Sequence, residues 1–362
     1  MDQVQGYQAA SPDGDDPRTG RERPPQRAAA GAVERTPAVQ GGRPPSTEVT
    51  ARERRAGILS VAAHLPDGIL TNADLEKMVD TSDSWIMERT GIRLRHRAVA
   101  GETSSEMGAK AARRALEMAG SPRIDAIVVT TVTPDTLFPS TACLIQRKLD
   151  MGGIPAFDVN AACSGFTYGL IVSEGLIRSG VADHILLVAA ESMTSLVDWQ
   201  DRGTCVLFGD GAGAAVLGAT SVGGIVARRW GADGTKGHLI YYGPKPDGSD
   251  SPDKLRMAGK GTFRMAVETF CDVTTGVCAD AGWDPASIDH YVPHQANQRI
   301  IEAAAKRMGI PMERVVVNIT ETGNTSSASI PLALAGAAAQ GRFKRGDRVV
   351  VAAFGAGATW GA

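Results

Sequence analysis

Residues 156–166 read AFDVNAACSGF, and the assignment of a fold starts from this stretch. The pattern predicts a strand over 156–159, a tight turn of small residues, and a helix that continues to Gly180. A second strand is predicted over 184–190. Strand and helix signals alternate in this way to the end of the chain, which favours an α/β protein with mainly buried sheets.

The unit that contains this stretch occurs twice. Residues 121–125 (SPRID) precede an apolar run, and residues 285–289 (PASID) precede another. The two acidic residues, Asp125 and Asp289, lie 164 positions apart (289 − 125 = 164). We therefore predict two copies of one α/β unit, packed face to face.

The second copy repeats the order of elements found in the first. A strand is predicted over 314–318, then a turn, a helix to Gly341 and a strand over 348–353. The turns of the two copies hold Cys163 and Asn324, which are 161 positions apart (324 − 163 = 161). Ligands of open α/β sheets bind at the carboxyl ends of strands, so both turns are expected at one cleft.

The remaining organisation follows from composition. Residues 1–50 hold seven of the 19 prolines and no Ile, Leu, Phe or Trp, and we expect a disordered tail. The body divides into an N-terminal half, 56–225, and a C-terminal half, 226–362. Early elements are expected as a strand over 57–63, a helix start at 71–74, a helix over 102–119 and a strand over 124–133.

Charge and cysteine content exclude several classes of function. The 362 residues carry 38 Lys and Arg against 40 Asp and Glu, which argues against nucleic acid as the main partner. Five cysteines without a C-x-x-C pair, together with six histidines, support neither a disulfide scaffold nor a metal site. No signal peptide or membrane span is evident, so a cytoplasmic location without a membrane partner is expected.

Cys163 is the candidate nucleophile. It falls at the predicted start of a helix, where free backbone N–H groups and the helix dipole favour a thiolate. The small residues around it leave room for a substrate. The other four cysteines, Cys143, Cys205, Cys271 and Cys278, are interpreted as structural.

His294 and Asn324 are candidate partners of that nucleophile. His294 follows a short strand and precedes a helix in the second copy, and a cysteine paired with a histidine is a common nucleophilic arrangement. Asn324 lies in the turn that corresponds to the cysteine turn, and its amide can donate to a developing oxyanion. A lone core histidine and a simple turn asparagine are the alternative readings.

Residues 208–216, FGDGAGAAV, have the glycine content of a nucleotide-binding loop. No Lys-Ser/Thr pair follows, and no helix-opening G-x-G-x-x-G with a later acid is present. We interpret the segment as a tight structural turn between strands.

Several motifs in order resemble one known family. They are WIMERTGIR (85–93), FPS (138–140), AACSGF (161–166), DRGT (201–204), residues 208–216, HQAN (294–297), GNTS (323–326) and FGAGATWG (354–361). Over about 300 residues the body resembles 3-oxoacyl-[acyl-carrier-protein] synthase III, a condensing enzyme of the thiolase fold. The resemblance implies a duplicated five-layer αβαβα architecture with two packed mixed sheets, and a homodimer.

The resemblance also implies roles for individual residues. It implies a catalytic triad of Cys163, His294 and Asn324, and an oxyanion-binding loop of Gly355, Ala356 and Gly357. Coenzyme A would be held by Trp85, Arg89 and Arg202, and Phe138 would line the acyl pocket of the partner subunit. A carrier-protein docking patch would comprise Arg264, Arg299, Lys306 and Arg307. Acyl-CoA would be a substrate, with malonyl-acyl-carrier protein as the second one, and no cofactor is implied.

The chain departs from the family pattern at its C-terminal end. The terminal loop of the family usually reads GGGFTWG, and Ala356 and Ala358 replace a Gly and the Phe. The methyl group of Ala356 is expected to be tolerated only at negative φ. The chain also ends at Ala362, where members usually continue, so we expect an unpaired sheet edge or another cover for it.

Two functions within this fold and one outside catalysis are considered. The leading hypothesis is a decarboxylating condensing enzyme that joins an acyl-CoA primer to malonyl-acyl-carrier protein and so initiates fatty-acid synthesis. The alternative is a starter-unit ketosynthase or acyltransferase of a specialised polyketide pathway, which the same triad serves. A non-catalytic partner subunit is disfavoured because both the cysteine and the histidine are present.

Overall fold

The structure, a computed structural model, describes residues 54–243 and 253–362, so the predicted tail over 1–50 lies outside the described residues. The strands are β1 (Arg55–His64), β2 (Gly68–Thr71), β3 (Leu94–Arg97), β4 (Ala126–Thr130), β5 (Ala156–Val159), β6 (His184–Ser192), β7 (Asp210–Thr220), β8 (Trp230–Ala232), β9 (Ile240–Tyr242), β10 (Leu255–Met257), β11 (His290–Pro293), β12 (Val349–Gly355) and β13 (Thr359–Gly361). The α-helices are α1 (Asn72–Leu75), α2 (Asp83–Thr90), α3 (Ser104–Met118), α4 (Thr141–Lys148), α5 (Gly165–Arg178), α6 (Gly259–Ala281), α7 (Gln298–Met308), α8 (Ile319–Thr322) and α9 (Ser329–Ala339). Within these ranges no helix is long and apolar enough to cross a membrane.

Two mixed sheets form the framework, and they share one strand order. The first runs β1-β7-β6-β4-β5, and the second, read in the same sense, runs β8-β13-β12-β11. In the first sheet β4 is parallel to both of its neighbours, β6 and β5, and in the second sheet β12 is parallel to β11. The next strands, β7 and β13, are antiparallel to those pairs. The duplicated architecture predicted from the repeat is thereby confirmed.

Helices separate and cover the sheets in five layers. Apolar side chains of α5 and α9 pack between the two sheets, as shown by Phe166, Ile177 and Leu334 in one buried cluster. Helices α3 and α4 cover the outer face of the first sheet. Helices α6 and α7 cover the second. The short turns that lead into α5 and α9 contact each other, since a Cβ at Gly165 would lie 2.9 Å from Cβ of Ser327.

The strand predicted over 314–318 does not form. Only Val315 makes a bridge, to Tyr291, and the amide of Val316 donates to the Tyr291 carbonyl at 2.8 Å. The side chain of Gln295 then accepts the amides of Asn318 and Ile319, at 3.0 and 3.3 Å. These amides are therefore not available to pair with a neighbouring strand, and the segment continues into α8 after one bridge.

The glycine-rich segment 208–216 is also not the turn that was predicted. From Asp210 onward it is the buried strand β7. Its small residues let α9 approach the sheet, since a Cβ at Gly213 would lie 2.6 Å from Cβ of Pro331. The glycines therefore serve close packing between a strand and a helix.

The C-terminal residues lie inside a sheet. Strand β13 pairs with β12 on one side and with β8 on the other. The amides of Ala362 and Arg229 each donate to the carbonyl of the other, at 2.8 and 2.9 Å. Of the two alternatives given for this end, the second is observed: the short β8 covers the edge of β13.

The early elements agree with the sequence in kind and differ in length. Strand β1 and helix α3 occupy the predicted positions, and β4 is shorter than the predicted 124–133. Thr71 caps α1 through a capping box with Asp74, but that helix ends at Leu75. All five cysteines are free; Cys205, Cys271 and Cys278 are buried, and Cys143 is partly exposed.

Candidate active site

A cavity of about 1080 Å³ lies where the first turns of α5 and α9 meet. Its wall includes Cys163, His294 and Asn324, which come from three separate segments of the chain. The cleft predicted from the repeat thus exists, and it contains the three residues that the sequence indicated. Their chemical roles remain a proposal.

Cys163 lies in a short 3₁₀ turn, Ala162–Ser164, directly before α5. Ala162 adopts φ of +48°, which aims this tight turn into the cavity. Gly165 permits close packing below it, because a Cβ there would lie 2.9 Å from Cβ of both Ser327 and Thr130.

The environment of the thiol differs from the predicted one. Burial raises the pKa of Cys163 to about 12, because a thiolate at the floor of the cavity is poorly solvated. The neutral thiol is therefore the resting form near neutral pH. Desolvation therefore acts in the opposite direction to the helix start, which the sequence predicted would favour a thiolate.

His294 follows the last residue of β11 and is almost completely buried. Its Nδ1 lies 2.6 Å from Oγ of Ser329, and its ring meets Phe354 edge to face at 5.6 Å. Burial lowers the pKa of His294 to about 3. The imidazole is therefore neutral at physiological pH, with Nδ1 engaged and Nε2 left for the cavity.

Asn324 is held through its backbone. Its amide donates to the Leu207 carbonyl at 2.8 Å, and its own carbonyl accepts the Gly209 amide at 3.1 Å. Its side-chain Oδ1 accepts the Ser326 amide at 2.9 Å. The Nδ2 group is then the part of the side chain left to donate into the cavity.

The loop after β12 closes over the cysteine turn. A Cβ at Gly355 would lie 2.7 Å from the backbone nitrogen of Cys163, so only glycine fits there. Thr359 Oγ1 donates to the Ala161 carbonyl at 2.8 Å and ties this loop to the cysteine turn. The φ angle of Ala356 is not positive, so its methyl group is tolerated as the sequence analysis required.

The entrance of the cavity presents an aromatic ring between two cations. The guanidinium carbon of Arg202 lies 4.9 Å from the ring centroid of Trp85, and that of Arg89 lies 6.0 Å from it. Arg202 also donates to the Asp80 carbonyl at 2.9 Å. This arrangement suits a flat, electron-rich ring with attached phosphates.

The other predicted residues divide into two groups. Arg264 and Arg299 line the same cavity and are exposed, whereas Lys306 and Arg307 lie on the last turn of α7, away from the cavity wall. Phe138 does not line the cavity of its own chain. Its side chain is 85% exposed.

Sequence reasoning missed Glu191. It is fully buried near the end of β6, and its Oε2 accepts the Val132 amide at 3.0 Å and the Thr133 hydroxyl at 2.8 Å. Its Oε1 lies 2.7 Å from Oγ of Ser327, in the turn that follows Asn324. Burial raises its pKa. The signal was available, since Glu191 is the one acid in the apolar strand run 185–191.

Burial, which raises the pKa of Glu191, favours the neutral acid. The Ser327 hydroxyl also lies 3.1 Å from the carbonyl oxygen of Thr130, which can only accept. The Ser327 hydroxyl has one proton and is a donor toward both oxygens, whereas a protonated Glu191 would itself donate to Oγ of Ser327. Glu191 thus links the segment after β4 to the turn that follows Asn324. Sequence reasoning also missed Ser329, whose Oγ lies 2.6 Å from Nδ1 of His294.

The fold and the site define a class: the chain is a thiolase-fold protein with a cysteine, a histidine and an asparagine in one cavity. Models of 3-oxoacyl-[acyl-carrier-protein] synthase III match residues 157–234, and models of its C-terminal part match residues 278–362. Beta-ketoacyl-[acyl-carrier-protein] synthase III of Thiobacillus denitrificans is 49% identical over 84% of this chain and 97% of that protein. The chain belongs to the 3-oxoacyl-[acyl-carrier-protein] synthase III family, and it is a condensing acyltransferase.

Solved structures agree with this assignment. The 3-oxoacyl-[acyl-carrier-protein] synthase III of Aquifex aeolicus is 45% identical, covers 84% of this chain and 98% of its own, and superposes with a TM-score of 0.81. The priming beta-ketosynthase of the R1128 polyketide biosynthetic pathway is 37% identical, covers 89% and 97%, and also has a TM-score of 0.81.

Proposed function

We propose that this chain joins an acyl-CoA primer to malonyl-acyl-carrier protein through an acyl group held on Cys163, and so starts fatty-acid synthesis. One observation carries the assignment of residues. A cysteine at a helix start shares a cavity with two neutral side chains, His294 and Asn324, each of which has a side-chain nitrogen left for the cavity.

The first half-reaction is acyl transfer. The sulfur of Cys163 forms a bond to the thioester carbonyl carbon of acyl-CoA, and the bond from that carbon to the coenzyme A sulfur breaks. The thiol proton of Cys163 moves to the departing coenzyme A sulfur. The backbone N–H of Cys163 and the loop of Gly355, Ala356 and Gly357 stabilise the intermediate oxyanion.

The second half-reaction is decarboxylation followed by condensation. Nε2 of His294 and Nδ2 of Asn324 donate to the thioester carbonyl of malonyl-acyl-carrier protein. The carbon–carbon bond to the carboxylate breaks and carbon dioxide leaves. The electron pair of that bond stays on the thioester and forms an enolate, which the two donors stabilise. The enolate carbon attacks the acyl carbon on Cys163, the carbon–sulfur bond breaks, and the thiolate takes a proton from solvent.

The partners would dock on the surfaces around the entrance. Trp85, Arg89 and Arg202 fit the adenine ring and phosphates of coenzyme A. The exposed cations Arg264, Arg299, Lys306 and Arg307 suit an acidic carrier protein. Phe138 and the adjacent Leu137, 85% and 91% exposed, fit a homodimer in which Phe138 lines the acyl pocket of the partner.

A second candidate function is the priming step of a specialised polyketide pathway. It is supported by the similarity to the R1128 priming beta-ketosynthase, which covers 89% of this chain. The chemistry is the same in both cases. Assay with carrier proteins of the two pathways would separate them by kcat/KM.

The test is the mass of the intact protein after incubation with a panel of acyl-CoAs. We expect an acyl adduct that is absent in Cys163→Ala, and the preferred adduct identifies the primer. His294→Ala and Asn324→Ala should retain the adduct and lose decarboxylation of the malonyl thioester by about 100-fold or more each. An equal loss of both half-reactions would contradict this division of roles.

A further inference from the structure

The hydroxyl of Ser329 has an unusually simple environment. Ser329 is the first residue of α9 and is about 1% exposed. Within the described part of the chain its Oγ has two polar neighbours, Nδ1 of His294 at 2.6 Å and the amide nitrogen of Gln295 at 3.3 Å.

The direction of one of these contacts is known. The Gln295 amide can only donate, so it uses one lone pair of the Ser329 oxygen. The backbone of Gln295 is held in place, because its side-chain Nε2 donates to the carbonyls of Pro293 and Val316 at 2.8 and 3.0 Å. The same side chain accepts the amide of Asn318 at 3.0 Å.

The direction of the other contact follows by counting protons. If Nδ1 of His294 donated, the Ser329 hydroxyl proton would have no acceptor among the described residues. An unpaired buried donor is costly. If Ser329 donates to Nδ1, every group is paired, and the proton of the neutral imidazole must sit on Nε2.

We propose that Ser329 is a positioning residue, which holds His294 in the tautomer that carries its proton on Nε2 and so presents an N–H donor to the cavity. This inference rests on the proposed function, in which His294 donates to the malonyl thioester carbonyl. It deepens that function in one respect. A histidine held in this tautomer has no free acceptor nitrogen for the Cys163 proton, so Ser329 dedicates His294 to decarboxylation.

The geometry around the ring supports a fixed orientation. Phe354 packs edge to face against His294 at 5.6 Å, which hinders rotation of the ring by a half-turn. Phe354 is itself held in place, because the next residue, Gly355, packs against the backbone amide of Cys163. Rotation would place Nε2 toward Ser329 and remove the donor from the cavity.

The experiment is ¹⁵N nuclear magnetic resonance of the full chain labelled at histidine, in wild type, Ser329→Ala and Ser329→Thr. The chain has six histidines, and the His294 signals are identified by their loss in His294→Gln. We expect wild type to show an unprotonated Nδ1 and a protonated Nε2. Ser329→Ala should show both tautomers, and Ser329→Thr, which keeps the hydroxyl, should restore the wild-type pattern.

The kinetic arm uses the two half-reactions separately. Ser329→Ala should lower decarboxylation of the malonyl thioester about 10- to 100-fold. It should leave acylation of Cys163 by acyl-CoA within about twofold, which also shows that the variant folds. Ser329→Thr should recover most of the lost decarboxylation.

The outcomes separate this proposal from the proposed function. A proton on Nδ1 in wild type overturns the proposal and leaves the triad untouched. A tautomer shift in Ser329→Ala without loss of decarboxylation overturns the donor role of His294 itself. An equal loss of both half-reactions in Ser329→Ala, with no rescue in Ser329→Thr, overturns the positioning role of Ser329 and shows that the residue is only structural.

Discussion

The buried acid Glu191 offers a sharp test of the reasoning about this site. Two substitutions distinguish its hydrogen bonds from its charge. Glu191→Ala removes both. Glu191→Gln keeps an oxygen for the Val132 amide and supplies an NH₂ donor toward Oγ of Ser327, as a protonated acid does.

The expected stability changes follow from the partners that each variant leaves unpaired. In Glu191→Ala the amides of Val132 and Ser327 lose their acceptor, and each buried unpaired donor costs about 1–3 kcal/mol. The space left by the side chain adds to this, so we expect a loss of about 3–5 kcal/mol. Glu191→Gln keeps the acceptor for the Val132 amide but its NH₂ group cannot accept the Ser327 amide, so it should cost about 1–3 kcal/mol near pH 5.

The pH dependence has a definite sign. The pKa of Glu191 is raised by burial above its ordinary value of 4.5, so the folded protein binds a proton that the unfolded chain has released. The contribution of Glu191 to stability is present below pH 4.5 and falls as the pH rises toward the folded pKa. The fall is about 1.4 kcal/mol per pH unit, and Glu191→Gln does not have it.

The assay is urea unfolding at equal protein concentration, at half-unit steps from about pH 5 to pH 8. The stability of Glu191→Gln relative to wild type should increase with pH and level off at the folded pKa. The control is Glu117→Gln, an exposed acid on α3, which should show no such trend. A constant difference between Glu191→Gln and wild type across this range would refute the neutral acid.

Two further predictions concern the site directly. Gly355→Ala places a Cβ 2.7 Å from the Cys163 amide nitrogen and should slow acylation of Cys163 by about 100-fold. The control Gly175→Ala, with open space around its Cβ on α5, should leave the rate unchanged. Normal acylation of Gly355→Ala would show that the Cys163 amide is not part of the oxyanion site. Arg202→Ala removes the guanidinium over Trp85 and should raise the KM for acyl-CoA about tenfold with kcat for acylation retained, whereas Arg307→Ala on α7 should not. An unchanged KM in Arg202→Ala would place coenzyme A elsewhere.

Local pattern was sufficient for most of the framework. The strands at 156–159 and 184–192 and the helix between them depend on periodicity and on small turn residues, so the sequence predicted them closely. The same holds for the duplication, because the similar offsets between equivalent residues, 164 and 161, do not depend on packing. The sequence also indicated that Cys163, His294 and Asn324 belong together.

Errors arose where a distant partner controls the backbone. The segment 314–318 has a strand pattern, yet the Gln295 side chain takes the amides that a ladder would need. The glycines after residue 208 suggest a turn, yet they line a strand because α9 must pack close to it. Neither Gln295 nor Pro331 is near these segments in sequence.

The protonation states at the site depend on tertiary structure alone. A helix start predicts a thiolate at Cys163, but the surrounding protein desolvates the sulfur and raises the pKa to about 12. Burial likewise keeps His294 neutral, and the contact with Ser329 selects its tautomer. The sequence by itself determined which groups are available for chemistry, because residue type and local pattern are encoded along the chain. Only the folded structure decided where their protons sit, because desolvation and hydrogen bonding depend on neighbours brought together from remote segments.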